Sequence, residues 1–395
     1  MTEPFLPLQG YRVVEMTHMI MGPSCGMFLA LMGADVIKVE PPAGDKTRNL
    51  TGMGSPFFPL FNRGKKSVQL DLSSDAGKRA LDRLLATADV FVDNFRDVSL
   101  AKMGAAPDVL REKFPRLILA SHKGFLQGPY QERTAMDEVV QMMTGLAYMT
   151  GPTGRPLRFG SSAVDITGGL FGAFSVMGAL LEREKTEKGR DIRVGLFENG
   201  LILAAQHMVQ FELEGTNPSP MPERDFAWPV YDILTTADER QIFVAAVTEG
   251  QWKVLCTYLE LDELRTDARL QTRMDQIEAR SWTIPIVAEA IANKQYADLL
   301  HDFEELGIPF SPINRPSDNF NDPHVQRPGG LVTSKMPDGR TFRAPSLPFE
   351  IDGEMMATTG DLSAIGAYTS EIFSALGMTD AEIKEARGPL QEAAE

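Results

Sequence analysis

Leu117-Ile118-Leu119-Ala120-Ser121-His122-Lys123-Gly124-Phe125 runs from an apolar segment straight into small residues and a glycine. A short apolar run ending this way is the pattern of a central parallel strand whose carboxyl end opens on a crevice. In open α/β sheets that crevice is where ligands bind. After a polar loop, Asp137 and Glu138 begin a helix that carries Val140, Met143, Leu146 and Ala147 on one face. Acids in a first turn suit the helix dipole, so Asp137 reads first as helix-end electrostatics. From Val139 to Val164 the chain then has no Asp or Glu.

Upstream of this strand the same pattern repeats. Arg12–Met16 predicts a strand, 23–31 a helix and 35–39 a second strand, with links short enough for a βαβ unit and a parallel sheet. A second round follows, with strand 67–70, helix 75–85 and strand 90–93, and the third leads into Leu117. Downstream of Asp165 comes an apolar helix with glycines at 168, 169, 172 and 178, then strand 191–194 and an apolar helix over 196–213. The fold class is therefore α/β, a doubly wound, mostly parallel, Rossmann-like sheet in a large domain over 1–214. Asn217-Pro218-Ser219-Pro220-Met221-Pro222 can be neither helix nor sheet and reads as a linker. A smaller α+β domain over 215–329 carries a hairpin (230–234 with 241–245) and several helices, and residues 330–395 return as short strands and two helices.

With 395 residues and 43% hydrophobic content the chain can bury a large core. The longest nearly apolar run, Gly168 to Leu181, is too short to span a bilayer, and no leader pattern precedes Pro7, so a cytoplasmic protein with no membrane partner is expected. Cys25 and Cys256 fit two reduced thiols better than a disulfide framework. The net charge of −15 argues against nucleic acid, yet it is uneven. Residues 1–102 hold 12 Lys+Arg against 11 Asp+Glu, and the remainder carries a net −16, so an anionic ligand should sit on the N-terminal part.

The turn Gly22-Pro23-Ser24-Cys25-Gly26 after the first strand is not a dinucleotide fingerprint, Gly64-Lys65-Lys66-Ser67 lacks the first glycine and final hydroxyl of a phosphate loop, and no G-x-S-x-G elbow exists. Histidines 18, 122, 207, 301 and 324 are too dispersed for a metal set, and no metal or cofactor is expected. What remains is a group of cations at turns after strands: Arg48, Arg63, Lys65, Lys66, Arg96, Lys102 and Lys123, with Phe95 among them. Point charges and guanidinium forks for phosphates, and a ring face for a base, would suit a ligand with several phosphates and an aromatic group.

Gly10-Tyr11-Arg12-Val13-Val14-Glu15-Met16, Gly22-Pro23 and Gly33-Ala34-Asp35-Val36-Ile37-Lys38-Val39-Glu40-Pro41-Pro42 resemble the start of the class III CoA-transferases, the carnitine and formyl-CoA transferase family. The resemblance continues through Asn62-Arg63-Gly64-Lys65-Lys66-Ser67, Asn94-Phe95-Arg96, Lys102-Met103-Gly104, Ser121 to Phe125, Asp137 to Gln141, Gly307-Ile308-Pro309 and Asp322 to Gln326. It implies that coenzyme A esters and carboxylic acids are the substrates, and that two chains interlock as linked rings. Matched position by position, it places coenzyme A against Met19, Ile20 and Met21, Lys65, Asn94 and Phe95, Lys102 and Lys123.

The family reaction needs a carboxylate nucleophile, already ionised at neutral pH when its pKa is about 4. The resemblance puts it on the loop after Thr150-Gly151, where the family pattern is Asp-Gly-x-Pro. Here the slot holds Thr153, or Gly154 in the alternative register, so no catalytic residue is assigned. Asp165 matches a position used for proton transfer in the family's racemases, but their histidine before the Asp137 position is Met136 here, and methionine carries no proton. Three readings follow. The chain is a subunit of a CoA-transferase whose second family-member chain supplies the aspartate, similar to the succinyl-CoA:benzylsuccinate enzyme, with an aryl-substituted dicarboxylate as acceptor; or it is a self-sufficient transferase or isomerase; or it is a CoA-ester binding protein without chemistry.

Overall fold

The computed structural model describes residues 5–224, 226–358 and 360–389. Six strands, β1 (Arg12–Met16), β2 (Asp35–Glu40), β3 (Lys66–Gln69), β4 (Val90–Asp93), β5 (Ile118–Lys123) and β6 (Asp191–Gly195), form one sheet in the order β3-β2-β1-β4-β5-β6. Every pairing is parallel. The order reverses between β1 and β4, so the chain winds outward both ways from the middle. That junction is the switch point at which doubly wound sheets open a crevice.

Side-chain alternation separates the two faces. Val14, Ile37, Val68, Phe91 and Leu119 point to one face, covered by α2 (Asp75–Leu85) and by the returning helices Thr369–Ala375 and Asp380–Arg387. Val13, Val36, Val90, Val92, Ile118 and Ala120 point to the other, covered by α1 (Met21–Leu31) and the long helix that precedes β6. Two-sided burial is why these strands read as unbroken apolar runs.

Between β4 and β6 lie α3 (Asp97–Lys102), α4 (Asp137–Met143) and α5 (Ala163–Thr186), and α6 (Leu196–Glu214) follows β6. The single helix expected from Asp137 is in fact two, because Gly145 takes a left-handed φ of 86° and restarts the chain as Leu146–Thr150. The helix expected after Asp165 begins earlier, at Ala163, so Asp165 stands in its first turn. Among the described residues α5 is the one helix long and apolar enough to cross a membrane. Its glycine face is instead packed into the protein. Gly168 lies against Met21, Gly169 against Ser24 and the Met21 carbonyl, and Gly172 against Cys25 and His122. The contacts advance together along both helices, so α1 and α5 run parallel.

The chain divides into one compact unit of Met1–Pro222 with Gln326–Glu395 and another of Glu223–Val325. These bounds differ from the expected 214/215 and 329/330, because the proline-rich linker (215–222) and residues 326–329 fall in the larger unit. In the smaller unit β7 (Val230–Thr235) and β8 (Gln241–Ala246) form the antiparallel hairpin, and β9 (Phe310–Pro312) adds a third strand. The return of the chain to the large unit is fixed by backbone bonds such as Gly64 N–H to Asp361 O and Tyr368 N–H to Ser67 O.

Candidate active site

At the carboxyl edge of the sheet a cavity of 730 Å³ lies over the ends of β1, β2 and β3. Its walls include the turn Thr17-His18-Met19, the segment 39–47, Phe95 and Lys102. The turn is held open by Asn94, whose Oδ1 accepts from His18 N–H (3.1 Å) and whose Nδ2 donates to His18 O (2.8 Å). Met19 sits at φ 64°, a conformation that side chains with a Cβ rarely take, and its N–H donates to Thr47 Oγ1 at 3.1 Å. Backbone strain of this kind gathers at binding sites and persists only when the surroundings fix it. The Phe95 ring packs 5.2 Å from the His18 ring.

Of the expected coenzyme A contacts, the structure brings Met19, Phe95 and Lys102 to this cavity. Asn94 acts one step back, through the turn. Ile20 and Met21 are buried beneath it and face the core rather than the cavity. Lys65 requires a correction. It is 3% exposed, and its Nζ donates to Pro23 O (2.8 Å) and Asn62 Oδ1 (3.2 Å) while pairing with Glu15 Oε2 (2.7 Å). Burial pushes its pKa down to about 8 against the pull of Glu15. Lys38 joins the same buried set, 3.0 Å from Asp45 and 3.4 Å from Glu15, with Nζ donating to Thr17 O at 2.7 Å. What reads in sequence as a basic surface motif is a polar core under the cavity floor.

The other expected cations are also engaged. Arg48 forks onto Glu40 (2.6 and 2.8 Å), Lys66 pairs with Asp35 (2.7 Å), and Lys123 is turned to Asp97 (2.8 Å) and Phe95 O (2.6 Å). Arg63 is 3% exposed, with Nε and Nη1 lacking partners among the described residues. Lys46, missed in sequence, stands on the cavity wall, and neither it nor Lys102 has a carboxylate at ion-pair distance among the described residues. The available signal was position: Lys46 follows the carboxyl end of β2, as Lys102 follows β4.

The loop to which the resemblance assigned the nucleophile lies at the surface. Thr153 and Gly154 lie on an exposed turn, and Gly154 has no atom near the place a Cβ would take. Asp165 lies in the first turn of α5, one turn before Gly168, which packs against Met21 at the start of α1. Its carboxyl is partly exposed by surface area yet largely desolvated, and burial, with the nearby charge of Asp137, pushes its pKa up to about 7. Asp137 is itself committed: Oδ2 accepts the N–H of Val164 (3.0 Å) and of Asp165 (3.1 Å). Its helix-end role is thus at the start of α5 as well as of α4. The sequence singled out Asp165 only as a proton-transfer position, because the nucleophile was sought by loop register; its desolvation in the first turn of α5 is set by the fold.

The description "CoA-transferase family III" matches residues 8–362. The chain is 30% identical over 384 residues to the succinate–glutarate CoA-transferase of Agrobacterium fabrum, covering 94% of this chain and 96% of that one. It is also 30% identical over 407 residues to the succinyl-CoA–L-malate CoA-transferase beta subunit of Chloroflexus aurantiacus, covering 98% of each. Among solved structures it resembles a CAIB/BAIF family protein from Brucella suis, with a TM-score of 0.84 at 30% identity over 94% of this chain and 99% of that one. A doubly wound sheet, a crevice at its switch point and these likenesses agree: the chain belongs to CoA-transferase family III.

Proposed function

We propose that this chain is a self-sufficient CoA-transferase that moves coenzyme A from an acyl-CoA such as succinyl-CoA to a short dicarboxylic acid, with Asp165 as nucleophile. The observation that carries this reading is the Asp165 carboxyl, desolvated in the first turn of α5 on the helix whose next turn packs against Met21, the first residue of α1 after the cavity turn. Its carboxylate attacks the donor thioester carbonyl, giving a mixed anhydride and CoA thiolate. The thiolate returns to the aspartyl carbonyl, forming an aspartyl-CoA thioester and releasing the donor acid. The acceptor carboxylate then attacks that thioester, and the thiolate takes the new acyl group and restores Asp165. Each bond made is matched by one broken, so no cofactor is needed. The raised pKa serves the first step, since a desolvated carboxylate is a better nucleophile than a solvated one.

Lys46 and Lys102 supply the charge for the coenzyme's phosphates, and Phe95 a face for its base. The dicarboxylate class is supported by the relatives' names, and an arylsuccinate such as benzylsuccinate belongs in the acceptor panel. Incubation with succinyl-CoA followed by hydroxylamine, with peptide mapping, tests the assignment. The expected result is a hydroxamate at Asp165 and no turnover by Asp165→Ala. A hydroxamate elsewhere, or an active Asp165→Ala, would overturn it.

The second reading, a chain paired with a different family member that supplies the aspartate, is supported by the likeness to a beta subunit. It predicts that the purified chain alone is inert. Phe174, Leu181, Ile202 and Leu213 on the outer faces of α5 and α6 are 62% to 82% exposed, a surface that calls for cover by a partner chain, identical or different. Light scattering on the isolated chain distinguishes a homodimer from a monomer awaiting a different partner.

A further inference from the structure

Asp165 is set between two opposite charges that the reaction does not consume. Asp137, the first residue of α4, is 7% exposed and holds the start of α5 through the N–H groups of Val164 and Asp165. Its other oxygen accepts from Gln141 Nε2 (2.5 Å) and from Arg158 Nη2 (3.4 Å). Arg158 comes from the loop that leads into α5. Its Nη1 lies 3.7 Å from Glu138 Oε2, its Nη2 donates to Ser161 O at 3.3 Å, and its buried Nε has no partner among the described residues. Gln141 Oε1 fastens the same loop by accepting Phe159 N–H at 2.7 Å. Loop, α4 and the first turn of α5 therefore meet at one carboxylate, and the Arg158 guanidinium holds that carboxylate while its charge also reaches Asp165.

We propose that Arg158 is a positioning residue for the transfer reaction: by neutralising Asp137 at the start of α5 it fixes the fraction of Asp165 that is ionised and the direction its carboxylate faces. The inference rests on Asp165 being the nucleophile. The ionisation balance agrees with it, since burial and Asp137 push Asp165 up and Arg158 draws it down. The other faces around Asp165 carry little charge among the described residues. From α1 come Met21, Ser24 and Cys25, and from α6 comes Asn199, whose Nδ2 donates to Val164 O (2.5 Å) and Thr167 Oγ1 (2.8 Å). His122 from β5 lies two turns along at Gly172 and is held neutral by burial, with its pKa near 4, and burial also lowers His18 on the cavity turn. Glu138 extends the acid pair, and Glu198 is turned to Leu126 N–H at 3.1 Å.

The test is the pH profile of kcat/KM for succinyl-CoA. Arg158→Gln leaves Asp137 unopposed, so the acid limb moves upward, with activity at pH 6.5 reduced about tenfold and activity at pH 9 within about twofold of the parent. Asp137→Asn moves the same limb downward. Arg158→Lys keeps the charge and holds the limb near its parental position. An unmoved limb in Arg158→Gln, or displacement in the same direction by Arg158→Gln and Asp137→Asn, would overturn the proposal. Should Arg158→Gln fail to fold, Asp137→Asn and Arg158→Lys still decide it, since an unmoved limb in the first or a displaced one in the second would refute it. The stability difference between Asp165→Asn and the parent, followed against pH, reports the same ionisation without turnover. Asp165→Ala measured alongside separates the two failures: if that variant remains active the nucleophile assignment falls, whereas an inert Asp165→Ala with unmoved limbs removes only the role of Arg158.

Discussion

Replacing Gly169 by alanine puts a methyl group into the closest part of the seam between α1 and α5. An ideal Cβ there would stand 2.6 Å from Met21 O and 2.8 Å from Cys25 N, both backbone atoms. Ordinary contact with a methyl group needs about 3.5 Å, and backbone cannot swing aside as a side-chain tip can, so the helices must part by about 0.7–1 Å. Overpacking of this kind costs about 1–3 kcal/mol, and alanine's better helix propensity returns at most about 1 kcal/mol. The same movement shifts Asp165 relative to the Thr17–Ile20 turn, and a displacement of about 1 Å from productive geometry costs about a hundredfold in rate. Urea unfolding and CoA exchange from succinyl-CoA to glutarate measure the two effects. Gly178 is the control, since on the same helix nothing lies within 4 Å of its Cβ position. Gly178→Ala, which adds no clash at the α1–α5 seam, should gain up to about 1 kcal/mol in urea unfolding. If Gly169→Ala matches the parent in both midpoint and rate, the seam does not set the distance between nucleophile and crevice, and the reasoning fails.

Charge reversal at Lys46 or Lys102 should weaken coenzyme A binding by about 2 kcal/mol, about thirtyfold by calorimetry, while leaving the urea midpoint unchanged. Lys65→Gln should do the reverse of a binding mutation, because it removes the nearer of the two cations on buried Glu15 and leaves only Lys38 at 3.4 Å: stability is lost, up to about 3 kcal/mol, seen as a lower urea midpoint. Asp165→Asn should be more stable than the parent at alkaline pH. The folded protein favours the protonated acid, with a pKa near 7 against an ordinary 3.8, so the parent loses stability as pH rises from about 4 through 7 and the amide does not. Allowing for its partial exposure the gain is about 2 kcal/mol at pH 8.5 and vanishes near pH 4, and melting curves at both pH values would refute it if the gain were equal.

The sheet was legible because its determinants are local. Apolar runs ending in small residues, short links and Asp-led or glycine-led helix starts placed all six strands to within a residue or two, and parallel pairing followed from link length alone. The fate of each cation was not legible, because pairing is decided across the fold. Lys65 and Lys102 are alike as letters, yet 50 residues of helix and strand separate Lys65 from the Glu15 that captures it, and Lys102 meets no such acid among the described residues. The surroundings of Asp165 were hidden for a related reason. The acid-free interval from Val139 to Val164 ends one residue before Asp165, and its desolvation in the first turn of α5 comes from packing that the letters do not show, while the loop at Thr153 faces solvent.

The polar core of Glu15, Lys38, Asp45 and Lys65 bears on how this sequence can drift. Two cations and two anions are buried together there, each held by more than one partner. Any single exchange takes one partner from a buried charge and weakens its compensation, at up to about 3 kcal/mol, a large part of the stability of an ordinary domain. Neutral paths between related chains therefore pass through paired changes at positions 15 and 65, or 38 and 45, or leave all four untouched. Substitution should accumulate freely on the cavity wall above while this floor varies only in concert.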